Sequence, residues 1–430
     1  MIQWFLSGTV RQADAMCKHV EKILHHQRDI LAPKALEEVE TALREVRAAI
    51  KARADNAALQ TQINKLEEVA GKWLKPYPNA AWRENVEVLL VALAVALGIR
   101  TFFVQPFKIP TGSMQPTLFG ITSHNLLIEP DAGKPGGLAR IKDWCSGASY
   151  LEFKAGKDGT YDGMSRPLRL LIFDIKQTVW FAGEPHSLWF PPDTGTSPPI
   201  GFGDDNFLQR MLKTVYAVFV NLPADEQVTD IERRADLHRG TPYHQGQDVL
   251  KLKVNSGDHL FIDRLTYNFI PPSRGQIVVF ETKGIPEDRR MTPYWSIPDD
   301  QFYIKRLVGL SGENIQVGDD RHLIIDGKRL DWTTPHFENV YGFDSKVGPR
   351  DSHFSGHVSA KTSHQPIPLF KDESTVYQVA EGNVMVMGDN TMNSLDSRFW
   401  GDFPATSIIG RAFSVYWPIT DRFGWNCLVH

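Results

Sequence analysis

Cysteine is scarce in this chain. Cys17, Cys145 and Cys427 are the only three in 430 residues, they lie far apart, and no CxxC pair occurs. That excludes a cysteine zinc site and a dithiol redox motif, and leaves structural thiols as the default. No HExxH is written among the fourteen histidines, so metal hydrolysis has little support. No GxSxG elbow occurs either, which removes the usual signature of a Ser-His-Asp α/β-hydrolase. An excess of one charge is also missing. The 47 Lys and Arg and 51 Asp and Glu are mixed along the chain and give a net charge of -4, so no basic footprint points to nucleic acid. Long apolar runs are missing too: Val88 to Ile99, twelve residues, stands out, against the roughly 20 that a bilayer span needs. What is there is ordinary for a folded protein. Hydrophobic residues make up 42% and charged residues 23%, a balance that speaks against disorder and against a polytopic membrane protein.

Residues 34 to 70 carry apolar side chains three and four apart, at Leu36, Val39, Leu43, Val46 and Ile50 and then at Leu59, Ile63, Leu66 and Ala70. That spacing predicts helix with a break near Arg53 to Asn56, and both a helical hairpin and a short coiled coil fit it. Pro76 and Pro78 mark a linker. The run Val88 to Ile99 follows, bounded by Glu87 and Arg100. If those two charges snorkel to the interfaces, Val86 to Val104 becomes long enough to span. Lys72, Lys75 and Arg83 before it favour a cytoplasmic N-terminus. A segment starting beyond residue 80 would act as an uncleaved anchor rather than a signal peptide. Gly120 to Val249 is rich in Gly and Pro, with one apolar helical stripe from Phe207 to Phe219. From residue 250 onward, short β-branched and aromatic runs separated by turns predict a mostly β domain.

Three segments carry groups able to do chemistry. The first, Pro106-Phe107-Lys108-Ile109-Pro110-Thr111-Gly112-Ser113-Met114-Gln115-Pro116-Thr117-Leu118, pins an extended loop around one hydroxyl. A serine hydroxyl needs a base before it can attack. The second, Tyr303-Ile304-Lys305-Arg306-Leu307-Val308-Gly309, is strand-like and sends Lys305 and Arg306 to opposite faces. Burial of Lys305 would lower its pKa and free its amine to act as that base. The third, Gly388-Asp389-Asn390-Thr391-Met392-Asn393-Ser394-Leu395-Asp396-Ser397-Arg398, is dense in turn formers. There Ser394 can face the amine, while Asp389, Asp396 and Arg398 act as ion-paired struts.

In this order after an apolar segment, the three resemble the type I signal peptidases, the Ser-Lys leader peptidases. The likeness covers roughly 85–118, 252–326 and 378–418, about a third of the chain. It includes the Gly257-Asp258-His259 and Pro271-Pro272-Ser273-Arg274-Gly275 stretches. By the resemblance, Ser113 is the nucleophile and Lys305 the general base. Thr111 stands where some members use a serine on the oxyanion, and Ser394, Asp389, Asp396, Arg398 and Arg306 support the site. Thr391 departs from the arginine that many members carry there.

The resemblance implies a mostly β catalytic domain of signal-peptidase type, preceded by a helical N-terminal region and one transmembrane helix. The corresponding divisions are 1–82, a helical cytoplasmic region; 83–105, the anchor; 106–119 with 250–430, the peptidase domain; and 120–249, an insertion of unknown role. It also implies a single-pass protein of the bacterial cytoplasmic membrane, with its catalytic domain outside, that removes signal peptides from exported preproteins. Signal peptides and membrane lipid are the expected partners, together with a coiled-coil partner for the N-terminal region. No nucleic acid, metal or cofactor is required. The rivals are a membrane-tethered scaffold retaining the fold and a soluble self-cleaving Ser-Lys regulator. A Cys145–Cys427 disulfide is conceivable if both face the same compartment.

Overall fold

The computed structural model describes residues 8–75, 80–128, 135–170, 173–194, 215–342, 356–363 and 365–425. It divides into two compact units, residues 1–95 and 96–430.

In the first unit three helices, Gly8–Gln27, Pro33–Lys51 and Asn56–Trp73, enclose a core. The break expected near Arg53 is real and has local causes. Arg53 turns to φ 55°, and Asp55 caps the next helix by accepting a hydrogen bond from Ala58 N at 2.7 Å. Val39, Leu43, Val46, Leu59, Ile63 and Leu66 are buried together in that core. The helix Gly8–Gln27 adds Ala13, Cys17, Val20 and Leu24 to it and was not read from the sequence.

A fourth helix runs from Ala80 to Phe102. The transmembrane helix expected over 83–105 is not found: among the described residues no helix is long and apolar enough to cross a membrane. The reason lies in its first two turns, where Arg83, Glu84 and Glu87 are exposed and leave only the short apolar run after them. Charges in mid-span are costly. That run is nonetheless solvent-exposed at Val88, Leu89, Leu90, Val91, Leu93 and Val95.

The second unit is mostly β. A seven-stranded antiparallel sheet runs in the spatial order Val104–Lys108, His259–Asp263, Ile408–Trp417, Ile277–Glu281, Phe302–Gly309, Asn383–Met387, Phe403–Pro404. Ile277–Glu281 is buried at its first four residues, because both faces are covered. Ile277 and Val279 enter one cluster with Ile109, Met114, Leu118 and Leu260, while Val278 and Phe280 enter another with Leu307, Val386 and Trp400. Two-sided coverage gives a continuous apolar run instead of alternation. The neighbouring strand Phe302–Gly309 is likewise buried from Lys305 to its end. A four-stranded sheet built around Asn314–Val317 lies after that strand in the chain.

Residues 120 to 255 build further sheets. Thr122–Asn125, Asp248–Asn255 and Ala148–Lys154 form one, and the long strand Phe173–Phe181 pairs with Leu168–Leu170, Gly159–Met164 and Glu184–Trp189 in another. Tyr161, Phe181, Val249 and Leu252 lie in their common core. The stripe Phe207 to Phe219 lies largely outside the described residues. So does Cys427, and Cys145 is a free thiol.

Candidate active site

Two chain segments almost two hundred residues apart meet at one hydrogen bond. Lys305 Nζ lies 2.7 Å from Ser113 Oγ. Both side chains are buried, and the amine donates a second bond to Ile304 O at 3.2 Å. Lys305 is held in this dry position because its strand is covered on both faces. Burial is also the main cause of its lowered pKa, about 8; Asp396 and Asp389 pull the other way without restoring it.

The serine loop is clamped by the loop after Asn383–Met387. Asn390 N donates to Ser113 O at 3.0 Å, and Asn390 Nδ2 donates to Gly112 O at 2.9 Å. Both carbonyls are thereby taken, whereas the Ser113 N–H donates no hydrogen bond among the described residues. The close approach depends on Gly388. A Cβ there would collide with Ser394 Oγ and stand 2.5 Å from Ser113 O.

Two separate buried ion pairs brace this arrangement. Arg306 holds Asp389 with Nε to Oδ1 at 2.8 Å and Nη2 to Oδ2 at 2.5 Å, and Thr117 Oγ1 donates to Asp389 Oδ2 at 2.5 Å. Arg306 Nη1 also caps Gly275 O and His336 O, at 2.7 and 2.6 Å. Arg398 grips Asp396 with two bonds of 2.8 Å, and Gly388 N donates to Asp396 at 2.9 Å. Burial alone would raise the Asp396 carboxyl, but Arg398 and the Gly388 N–H outweigh it and hold it below the ordinary carboxylate range. Bidentate pairs of this kind fix orientation as well as charge. Thr391, the departure noted above, accepts from Arg398 Nη1 at 2.9 Å through its hydroxyl.

Ser113 and Lys305 are thus brought together, and Arg306 with Asp389 and Arg398 with Asp396 lie behind them. Ser394 is buried in the same pocket, but the amine bonds Ser113 Oγ and Ile304 O and not the Ser394 hydroxyl. Thr111 sits exposed at the rim. Asn390 and Thr117 were written in the quoted segments but received no role from the sequence. Their places in Gly-Asp-Asn and in Ser-Met-Gln-Pro-Thr were the available signal.

The strand Val104–Lys108 ends the sheet, so one edge is unpaired among the described residues. Phe107 on it meets Phe302 of the lysine strand edge to face, with ring centroids 5.7 Å apart. Chemically, the arrangement offers a hydroxyl beside an amine of lowered basicity, an unused N–H on the serine, and a strand edge able to pair with a peptide.

The family model "Signal peptidase, peptidase S26" matches residues 82–130 and 242–417, just over half of the chain. Among curated proteins, the chain is 30% identical over 174 residues to "Signal peptidase I" of Leptolyngbya laminosa, covering 40% of this chain and 65% of that protein. It is 29% identical over 168 residues to "Probable signal peptidase I-2" of Synechocystis sp., covering 39% and 58%. The chain therefore spans less than two thirds of the length of these relatives. A crystal structure of a signal peptidase I from Enterococcus faecalis V583 shares 24% identity, covers 33% of this chain and 97% of that one, and superposes with a TM-score of 0.22.

Proposed function

The chain belongs to the signal peptidase family S26, and from that premise we propose that it is a serine endopeptidase, held at the membrane, that cuts signal peptides from exported preproteins with Ser113 as nucleophile and Lys305 as base. The observation that carries this reading is the 2.7 Å approach of the buried Lys305 amine to Ser113 Oγ. On this reading residues 106–119 and 250–430 form the peptidase domain, and 120–249 are inserted within it.

Neutral Lys305 takes the Ser113 proton as the oxygen attacks the scissile carbonyl. The negative charge that develops on the carbonyl oxygen is met by the unused Ser113 N–H and the Thr111 hydroxyl. As the C–N bond breaks, the Lys305 ammonium returns its proton to the leaving amine and an acyl-enzyme remains. Water then loses a proton to Lys305, attacks the ester and regenerates Ser113. The ion pairs Arg306–Asp389 and Arg398–Asp396 keep the two loops in register, and Ser394 serves the pocket by its packing beside Gly388. The substrate pairs as an extended strand near Phe107 to Ile109, with small residues before the cut.

The exposed apolar residues Val88 to Val95 support the membrane association, since such a patch is rarely left in water. We assign them to lipid, and the peptidase domain to the extracytoplasmic side. The protein should sediment with membranes at physiological salt and float with lipid vesicles, and recovery in the soluble fraction would remove this part of the reading. For the chemistry, the decisive experiment is a purified preprotein incubated in detergent with wild type, Ser113→Ala and Lys305→Met. Both variants should keep the wild-type circular dichroism and lose cleavage; cleavage at the wild-type rate by either one would refute the assignment.

A further inference from the structure

The segment 131–241 lies outside the family match, yet its residue Asp193 reaches the strand that leads into the nucleophile. Among the described residues that strand, Val104–Lys108, is bonded along one side only, to His259–Asp263. It contains Pro106, which has no N–H, and Pro110 follows shortly after it. Ile109, next in the chain, is buried with Met114 and Leu118. Lys108, between Phe107 and Ile109, projects the other way.

There its ammonium binds Asp193 twice, at the carboxylate (2.9 Å) and at the backbone carbonyl (3.2 Å). Arg169 holds the same carboxylate at 2.5 Å and, through Nε, Asp174 at 2.7 Å. The side chains of Arg169 and Asp174 are only 9% and 2% exposed, and Pro191, Pro192 and Thr194 around Asp193 are buried. Burial lowers the pKa of Lys108, with Asp193 opposing the shift. A lysine on an edge strand normally keeps its charge in water. Here it is drawn into a chain of alternating charges, Lys108, Asp193, Arg169 and Asp174, in which each ion compensates its neighbour.

We propose that Asp193 is a positioning residue for substrate: through Lys108, the ion cluster of Asp193, Arg169 and Asp174 holds the Phe107–Ile109 edge in the extended form that a peptide backbone must pair with. This rests on the peptidase reading above. Asp193 touches no reacting atom, so its loss acts on peptide binding and leaves the Ser113–Lys305 chemistry in place.

The test uses the full-length protein in detergent and a signal-peptide substrate. Asp193→Asn should raise KM about tenfold, because one partner of a largely buried pair is left uncompensated. Its kcat and the acidic limb of its pH profile should stay as in wild type. Lys108→Met should do the same, and the double variant should be no worse than either single one, since the two side chains act as one unit. Backbone amide exchange in Asp193→Asn should quicken within residues 104–110 and stay unchanged in Phe302–Gly309. An unchanged KM, additive losses in the double variant, or a parallel fall of kcat would overturn the proposal. Absence of Ser113-dependent cleavage in wild type would instead sink the peptidase reading. In that case exchange at residues 104–110 still decides whether Asp193 holds the strand, and unaltered exchange there excludes it.

Discussion

An amine 2.7 Å from a hydroxyl can take its proton only when neutral, and in water a lysine is charged up to about pH 10.4. Burial brings Lys305 down to about 8. Cleavage should therefore show an acidic limb in kcat/KM near pH 8 and remain high above it, whereas a histidine base would put that limb near 6.5. A limb near 6.5, or a normal limb kept in Lys305→Met, would show that another group is the base. The same shift bears on folding. Below pH 8 both folded and unfolded chains carry the proton, and the buried ammonium costs about 3 kcal/mol. Between about 8 and 10.4 only the unfolded state binds it, so the cost fades as pH rises and is gone above the unfolded value. Lys305→Met removes that cost. Its stability relative to wild type should be about 3 kcal/mol more favourable at pH 7 than at pH 11, measured by denaturant unfolding at both values. An equal difference at the two pH values would mean that the amine is not desolvated as described.

At the scale of elements, two loops are locked by bonds of different kinds, and the kinds predict different losses. Asn390 contributes one neutral side-chain bond, to Gly112 O, whose net worth to stability is about 1 kcal/mol. Its larger effect is on where Ser113 sits, and small misplacements of a reacting atom can cost about a hundredfold in rate. Asn390→Ala should thus lower kcat by about ten- to a hundredfold while the melting temperature moves little. Asp389→Ala should do the reverse first, because it strands the buried Arg306 charge and costs about 3–5 kcal/mol of stability. Thermal melts and kinetics on both variants check the contrast, and a large melting shift for Asn390→Ala with unchanged kcat would reverse the assignment. These bonds also mark what sequence reading could reach. Ser113, Lys305 and the acid and base struts are residue types that announce chemistry, and the strands carrying them show period and β-branching. Asn390 bonds backbone carbonyls of a loop far away in the chain, which no local pattern encodes. The sequence places a Ser394 hydroxyl where it can chemically face the amine, but the side chain lies against Gly388 and the amine bonds Ser113 and Ile304 instead, a choice of partner that no local pattern encodes. The helix Gly8–Gln27 went unread because its buried stripe is Ala13, Cys17, Val20 and Leu24, too weakly apolar to stand out among histidines and charges. The apolar run after Glu87 reaches the length of a span only if the flanking charges snorkel, and no described helix is long and apolar enough to cross, so run length alone does not decide the span.

For the whole molecule, the separation into residues 1–95 and 96–430 has a thermodynamic consequence. The helical unit closes a core of its own, made by Val39, Val46, Leu59, Leu66 and their neighbours between residues 10 and 74. A self-contained core of that size should unfold as its own cooperative step. Calorimetry of the full chain should resolve at least two transitions. Val46 is fully buried, and an aspartate in its place must either carry a charge into an apolar interior or bind a proton there. Either route costs several kcal/mol, enough to unfold a bundle of this length, whose total stability is about 5 kcal/mol. Val46→Asp should therefore abolish one transition and leave the other within a degree or two. Ser113 and Lys305 belong to residues 96–430, so cleavage of a short peptide in detergent should stay within about twofold of wild type, because the core that holds Val46 contains neither residue and changes without shared partners are additive. Loss of both transitions together, or a collapse of peptide cleavage in this variant, would show that the helical unit is part of the catalytic fold and not a separate body carried by the same chain.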